Sequence, residues 1–386
     1  GENGGNGETG DVSDGNGETG DVSDGNGETG DVSDGDGETG DVSGPDSEVS
    51  VSGNDIAVYG AAATATGTLT VEGDSGSYSY DAENDVITVK NGANLTFHST
   101  DGYGAENPSQ TRIYVEKDAN ATLTLDGVYI DVSEKEASPL EIAEDSTGAV
   151  SVVLKGSNAL TAGKNSAGIQ KNGTADGTLT ISGSGTLSAQ GGEYGAGIGS
   201  GYKKAGSNIC ISGGEVTATG GYGGAGIGSG YEKVRSNISI SGGEVTATGG
   251  DGGAGIGGGI YGAESSITIS GGMVTATGGN GGAGVGGGRN GAVSSITISS
   301  GTIIAKGGYN GAGIGGGRNG AVSNISISGG MVTATGKSTR RDIGGGNGGS
   351  TGTVTITGGS VKATRGALTG VTNGTDNVYY TVVDLT

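Results

Sequence analysis

Seven apolar residues, Ile169, Ile198, Ile227, Ile256, Val285, Ile314 and Ile343, stand 29 positions apart in unbroken succession. A second column runs through Ile211, Ile240, Ile269, Ile298, Ile327 and Ile356 at the same interval, with Ile181 preceding it by 30. A third holds Val216, Val245, Val274, Ile303, Val332 and Val361. A unit of this size is too small to bury its apolar face alone. Strict repetition therefore means that each unit stacks on its neighbours, which is the logic of a solenoid.

The local pattern inside each unit is that of strands. In the stretch 237–250, Ile238, Ile240, Val245 and Ala247 alternate with Asn237, Ser239, Thr246 and Thr248, so one set faces a core and the other faces water. The segment centred on Ile256 adds a third short strand. No stretch carries a helical period, and 93 glycines would penalise any long helix. The chain has no Trp and one Phe, which rules out a core of interlocking large rings and leaves thin ladders of Ile, Val and Ala. These features specify an all-β fold: a single-stranded parallel β-helix, or β-solenoid, with about 29 residues and three short strands per coil. Ten to eleven coils at about 4.8 Å each would make a rod on the order of 50 Å.

Charge and composition divide the chain. Residues 1–48 hold 15 acids and no Lys or Arg, whereas residues 201–365 hold 12 bases against 6 acids. Residues 1–47 repeat the decapeptide GETGDVSDGN, whose one apolar residue per unit cannot offset chain entropy, so an acidic disordered linker is expected. Asp14, Asn16 and Glu18 alternate like the start of an EF-hand loop, but Thr19 and Gly25 stand where that loop needs Gly and Glu. Residues 48–84 are assigned to an N-terminal cap, 85–168 to irregular β-helix coils and 169–365 to the regular repeats. Residues 366–386 would begin a C-terminal cap or the next domain. The sequence lacks a charged-then-apolar leader and an 18-residue apolar run, so a mature fragment without a membrane span is expected, with any anchor elsewhere in the parent protein. Cys210 is the only cysteine, which excludes an intrachain disulfide.

Residues 253–259 read GAGIGGG and satisfy a dinucleotide-binding fingerprint. The same heptad recurs at 195, 224, 282 and 311 with small changes, and no helix follows, so these are rungs of a coil and not phosphate loops. Strand alternation would turn Gly226, Gly255 and Gly284 outward, giving a floor of bare backbone where a ligand could approach closely. Tyr202, Tyr231, Arg289 and Arg318 stand four positions after the central apolar residue of their coils, and Tyr222 and Tyr309 five before it. Tyr stacks on sugar faces and the Arg fork pairs with carboxylates, so this edge suits an anionic polysaccharide. A T-x-T ladder through Thr217, Thr246, Thr275 and Thr333, broken by Ile304 and Lys306, resembles ice-binding solenoids. Catalytic groupings are poor: His98 is the sole histidine with no nucleophile at a recognisable spacing. Asp126 and Asp131 could hold calcium on adjoining coils. The basic residues are too dispersed for nucleic-acid recognition.

The stretches LTLDGVYIDVS (123–133), SAGIQKNGTADGTLTISGSGTLSAQGG (166–192) and the ISGGEVTATGGDGGAGIGGG units resemble bacterial carbohydrate-binding β-helix proteins from the surfaces of clostridia and related Firmicutes, over about residues 85–365. The Gly-rich repeats also resemble those of large surface adhesins. That resemblance implies a pectate-lyase-like right-handed parallel β-helix that binds plant or acidic polysaccharide, sometimes with calcium, without catalysis. The expectation is a monomeric, extracellular, cell-surface polysaccharide-binding or adhesion module on an acidic stalk, and not an enzyme. No cofactor is required by the residues, and calcium is the one ion the resemblance brings in. The alternatives are a structural spacer or adhesin with a protein ligand or host surface, then a polysaccharide lyase, then an ice-binding solenoid.

Overall fold

The computed structural model describes residues 64–363 except 207, 233–235, 263–264 and 339–340, together with the strands Val371–Asn373 and Tyr379–Val382. They belong to the unit Val58–Thr386, so the decapeptide tract, residues 48–63 of the expected cap and most of 366–386 lie outside the described residues. The chain is a parallel β-solenoid. Each regular coil lays down one strand in each of three sheets, as in Asn237–Ile240 (sheet 1), Glu244–Thr248 (sheet 2) and Ile256–Gly257 (sheet 3). Among the described residues the sheets contain 13, 10 and 11 strands, and sheet 3 has ten parallel rungs from Val86–Val89 to Ile343–Gly344, hence about nine turns.

The register is the sequence period made physical. Ile240 pairs with Ile269, Val245 with Val274 and Ile256 with Val285, each one coil on, and all six are fully buried. Each inward residue therefore sits about 4.8 Å above its equivalent, and the ladders fuse into one core running the length of the rod. The 30-residue step from Ile181 to Ile211 has a local cause. Thr178 pairs with Asn208 across 30 residues, but Gln170 with Gly199 and Thr186 with Glu215 across 29. One residue is added before sheet 1 and one removed in the following turn, so the stack stays in phase.

The start of the rod is closed by antiparallel pairing. Thr64–Thr66 and Leu69–Glu72 form a hairpin whose second strand pairs antiparallel with Ala93–Ser99, while Tyr78–Asp81 pairs antiparallel with Val86–Val89. This covers the N-terminal edges of sheets 1 and 3, which would otherwise present unpaired backbone groups. No described helix is long and apolar enough to cross a membrane.

The glycine floor is corrected by the structure. Gly226, Gly255 and Gly284 are buried, and a Cβ at Gly255 would lie 2.6 Å from the Thr277 nitrogen and 2.9 Å from the Ala247 oxygen. Gly226 and Gly284 meet the equivalent nitrogen of the following coil's sheet 2 strand, Thr248 N and Lys306 N, at 2.7 and 2.6 Å. The chain leaves sheet 2 at Thr248, loops out through the exposed Asp251 and returns so closely that its backbone lies against the end of that sheet. From Ile198–Gly199 onward the sheet 3 strands are only two residues long, and Gly257 has φ of 126°, so strand alternation does not extend to Gly255. These glycines close the coil and are not an open seat for a ligand.

Gly255→Ala is expected to cost about 2 kcal/mol or more by forcing backbone apart, and Ile256→Ala about 3 kcal/mol through the cavity it leaves in the ladder. Ser239→Ala, on the solvent side of sheet 1, should stay within about 0.5 kcal/mol of the parent. Urea unfolding midpoints of the three variants check this order.

Candidate functional site

In the regular coils the two loops that flank sheet 3 bond to each other, from Tyr202 N–H on the Asn165 carbonyl to Asn347 N–H on the Asn310 carbonyl. The residue four past the central apolar position is anchored at both backbone groups. Tyr231 N–H donates to the Tyr194 carbonyl (2.9 Å), Ile260 to Gly223 (2.8 Å), Arg289 to Gly252 (2.7 Å) and Arg318 to Gly281 (2.7 Å). Their carbonyls accept in turn from Lys203, Glu232, Tyr261 and Asn290 of the coil before, at 2.7–2.9 Å. These loops are continuous hydrogen-bonded ladders, so side chains on them hold fixed spacings.

Two columns of left-handed residues make the meeting possible. One runs Tyr194, Gly223, Gly252, Gly281, Asn310 with φ from 68° to 90°; the other runs Lys203, Glu232, Tyr261, Asn290, Asn319 with φ from 55° to 58°. A Cβ at Gly223 would collide with the Tyr231 ring and one at Gly252 with the Ile260 side chain. The bare backbone that seats a ring is thus at Gly223, three residues before the position inferred from alternation. Asn290 and Asn319 tolerate this conformation and join their side-chain amides at 3.1 Å, one coil to the next.

On this scaffold five tyrosines converge. Tyr194 has ring centroids 5.1 Å from Tyr202, 5.9 Å from Tyr222 and 5.4 Å from Tyr231, and Tyr231 lies 6.4 Å from Tyr222 and 6.2 Å from Tyr261. Tyr222 and Tyr261 are 46% and 50% exposed, so the cluster is a surface and not a core. Of the residues singled out from sequence, Tyr202, Tyr222 and Tyr231 come together here. Tyr194 and Tyr261 escaped notice because they occupy the left-handed columns, where other coils have Gly, Asn, Lys or Glu. Ile260, in the Tyr231 column, is fully buried over Gly252, and Tyr261 presents the ring for that coil instead.

Arg289 and Arg318 follow in the Tyr231 column on the next two coils, half-buried and exposed respectively. No carboxylate among the described residues forms an ion pair with either. Tyr309 is 56% exposed and stands in the Tyr222 column three coils on, outside the ring cluster but in the coil of Arg318. At the other end charge is compensated: Lys164 pairs with Glu193 at 3.3 Å and Lys203 with Glu232 at 3.4 Å, and the Lys203 ammonium lies 4.9 Å from the Tyr202 ring centroid. A hydrogen bond to Tyr202, then the Glu232 carboxylate, holds the Lys203 ammonium above its ordinary range. The Glu193 carboxylate, hydrogen-bonded by the Tyr194 phenol, is held below its ordinary range and in turn pushes that phenol up. Tyr231 is raised chiefly by burial.

Other candidate groups do not assemble. His98 lies at the capped end of the rod, its Nδ1 2.9 Å from the Asp126 carbonyl and its Nε2 3.5 Å from Glu72, with no nucleophile in that arrangement. Asp126 ends a sheet 1 strand and Asp131 a sheet 2 strand of the same coil, not of adjoining coils, and Asp131 accepts from its own Ser133 N–H at 2.8 Å. No set of three or more His, Cys, Asp or Glu able to hold a metal occurs among the described residues. Cys210 pairs in register with Ser239 and is half-buried. Lys171 is fully buried in the first regular coil, its Nζ 3.3 Å from the Ser146 carbonyl; burial holds its ammonium below the ordinary range, partly opposed by Asp145.

Five successive stretches, 179–202, 209–231, 238–260, 267–289 and 296–318, match the family model described as Beta helix repeat. Each begins at an inward residue of sheet 1 and ends on the anchored column, at Tyr202, Tyr231, Ile260, Arg289 and Arg318. The similarity is to the repeat and its fold. No curated protein and no solved structure gives a significant match.

Because Tyr194 and Tyr231 hold their phenolic protons more tightly when folded, the folded state should lose relative stability as pH climbs from about 10 through their raised values. Spectrophotometric titration at alkaline pH should show a late-ionising class of tyrosines that shrinks in Tyr194→Phe and Tyr231→Phe.

Proposed function

We propose that the protein is a non-catalytic, extracellular polysaccharide-binding or adhesion module, and that the tyrosine face over sheet 3 is its binding surface. The observation that carries this reading is the gathering of five of the chain's 14 tyrosines into one partly exposed cluster. Nothing in the core requires those rings, because the coil that follows replaces Tyr231 with Ile260 and closes equally well. Rings with a polar tip suit a ligand whose faces are apolar and whose rim is hydroxylated, which describes a pyranose. Their backbone is already tied on both sides, so little freedom is lost on binding.

A protein ligand, a lyase activity and ice binding draw less support. The Thr ladder of sheet 2 is interrupted where Thr275 and Thr277 pair with Ile304 and Lys306, which breaks the flat array that an ice lattice would need. A glycan array, and pulldown on pectin, cellulose and mucin with and without calcium, test the proposal. At least one glycan should bind, and Tyr202→Ala/Tyr231→Ala should abolish that binding while leaving the far-ultraviolet spectrum unchanged. Failure to retain any glycan would sink the assignment.

A further inference from the structure

The binding face has a direction. Along the rod, each of five consecutive coils presents one recognition unit: Tyr194 and Tyr202, then Tyr222 and Tyr231, then Tyr261, then Arg289, then Arg318 beside Tyr309. The units are separated by the rung spacing of about 4.8 Å, close to the advance of one pyranose along an extended glycan. The Tyr261 N–H donates to the Arg289 carbonyl at 2.9 Å, and the Asn290 N–H to the Arg318 carbonyl at 2.7 Å, so aromatic and cationic halves are one hydrogen-bonded surface.

Charge on this surface is just as ordered. The lysines of the aromatic half are matched by Glu193 and Glu232. Arg289 and Arg318, by contrast, stack on adjacent rungs without an ion partner among the described residues, and like charges so placed repel unless an anion lies between them. Asp251, exposed in the Tyr222 column on the coil of Tyr261, disfavours negative charge at that middle rung.

We infer that the ligand is an anionic polysaccharide lying parallel to the rod axis, about one sugar per coil. Pyranose faces stack on the tyrosine half, and acid groups are held by the forks of Arg289 and Arg318. This rests on the polysaccharide reading above and adds to it an orientation along the rod and a length. A carboxylate of a uronic acid and a sulfate ester present the same chemistry to the two forks.

Calorimetric titration of the whole chain with size-graded oligosaccharides separates the possibilities. The probes are oligogalacturonate, its methyl ester as the neutral counterpart, oligomannuronate, and a sulfated galactan oligosaccharide with its unsulfated parent. For at least one acidic series, affinity should rise with length up to about five sugars, one for each coil of the face, and then level off. Arg289→Gln/Arg318→Gln should weaken that series about tenfold or more and leave the neutral counterpart unaffected. Asp251→Asn should strengthen the acidic series, and the preference between carboxylate and sulfate names the source. Equal binding of acidic and neutral chains, indifference to the Arg substitutions, or saturation at a disaccharide would each overturn the inference while leaving the polysaccharide reading intact. Absence of binding to every probe and to every glycan on the array overturns both.

Discussion

The regular coils depend on the parallel hydrogen-bond register that sets residue i above residue i plus 29. A coil by itself buries almost nothing, because its two apolar faces are the ones above and below. Stacking turns single Ile, Val and Ala side chains into ladders, each buried methylene contributing about 0.8 kcal/mol. It also pairs the backbone of strands as short as Ile256–Gly257. The same register makes surface positions repeat, so that a substitution on one coil acquires neighbours at a fixed distance.

Glycine is the means by which so small a coil closes. At Gly255 the chain returns against the end of sheet 2 with no room for a Cβ, and at Gly223 the left-handed backbone lets a tyrosine ring lie directly on the chain. These two demands are different, one steric and one conformational, and both serve the site. The first draws the flanking loops together; the second gives the ring its seat. The loops over sheet 3 are consequently ladders in their own right, which is why residues outside any named strand can form an ordered face.

The repeat tolerates variety only where it costs little. Inward positions keep to Ile, Val, Ala and Leu, whereas the anchored column runs Tyr, Tyr, Ile, Arg, Arg, Asn without disturbing the backbone that carries it. A gradient from aromatic to cationic character can thus be written along a rod of constant cross-section. The acidic partners of Lys164 and Lys203, one coil on in each case, compensate those two lysines, whereas Arg289 and Arg318 have no ion partner among the described residues.

Much of this was legible without coordinates. Fixed spacing and alternation determined the solenoid, its ladders and the in-register partners of Ile240, Val245 and Ile256, because one period governs both chain and stack. The same columns singled out Tyr202, Tyr222, Tyr231, Arg289 and Arg318. Alternation failed at Gly226, Gly255 and Gly284, since a two-residue strand leading into positive φ is not an extended strand and its flanking residue faces backbone rather than water. Tyr194 and Tyr261 could not be placed from spacing either: their left-handed φ swings them onto the face from columns otherwise filled by Gly, Asn, Lys and Glu. The sequence by itself determined which residues recur on every coil. Only the tertiary structure decided which of them share a surface, because that depends on how two loops, separated along the chain by a buried strand, bond to each other across the turn.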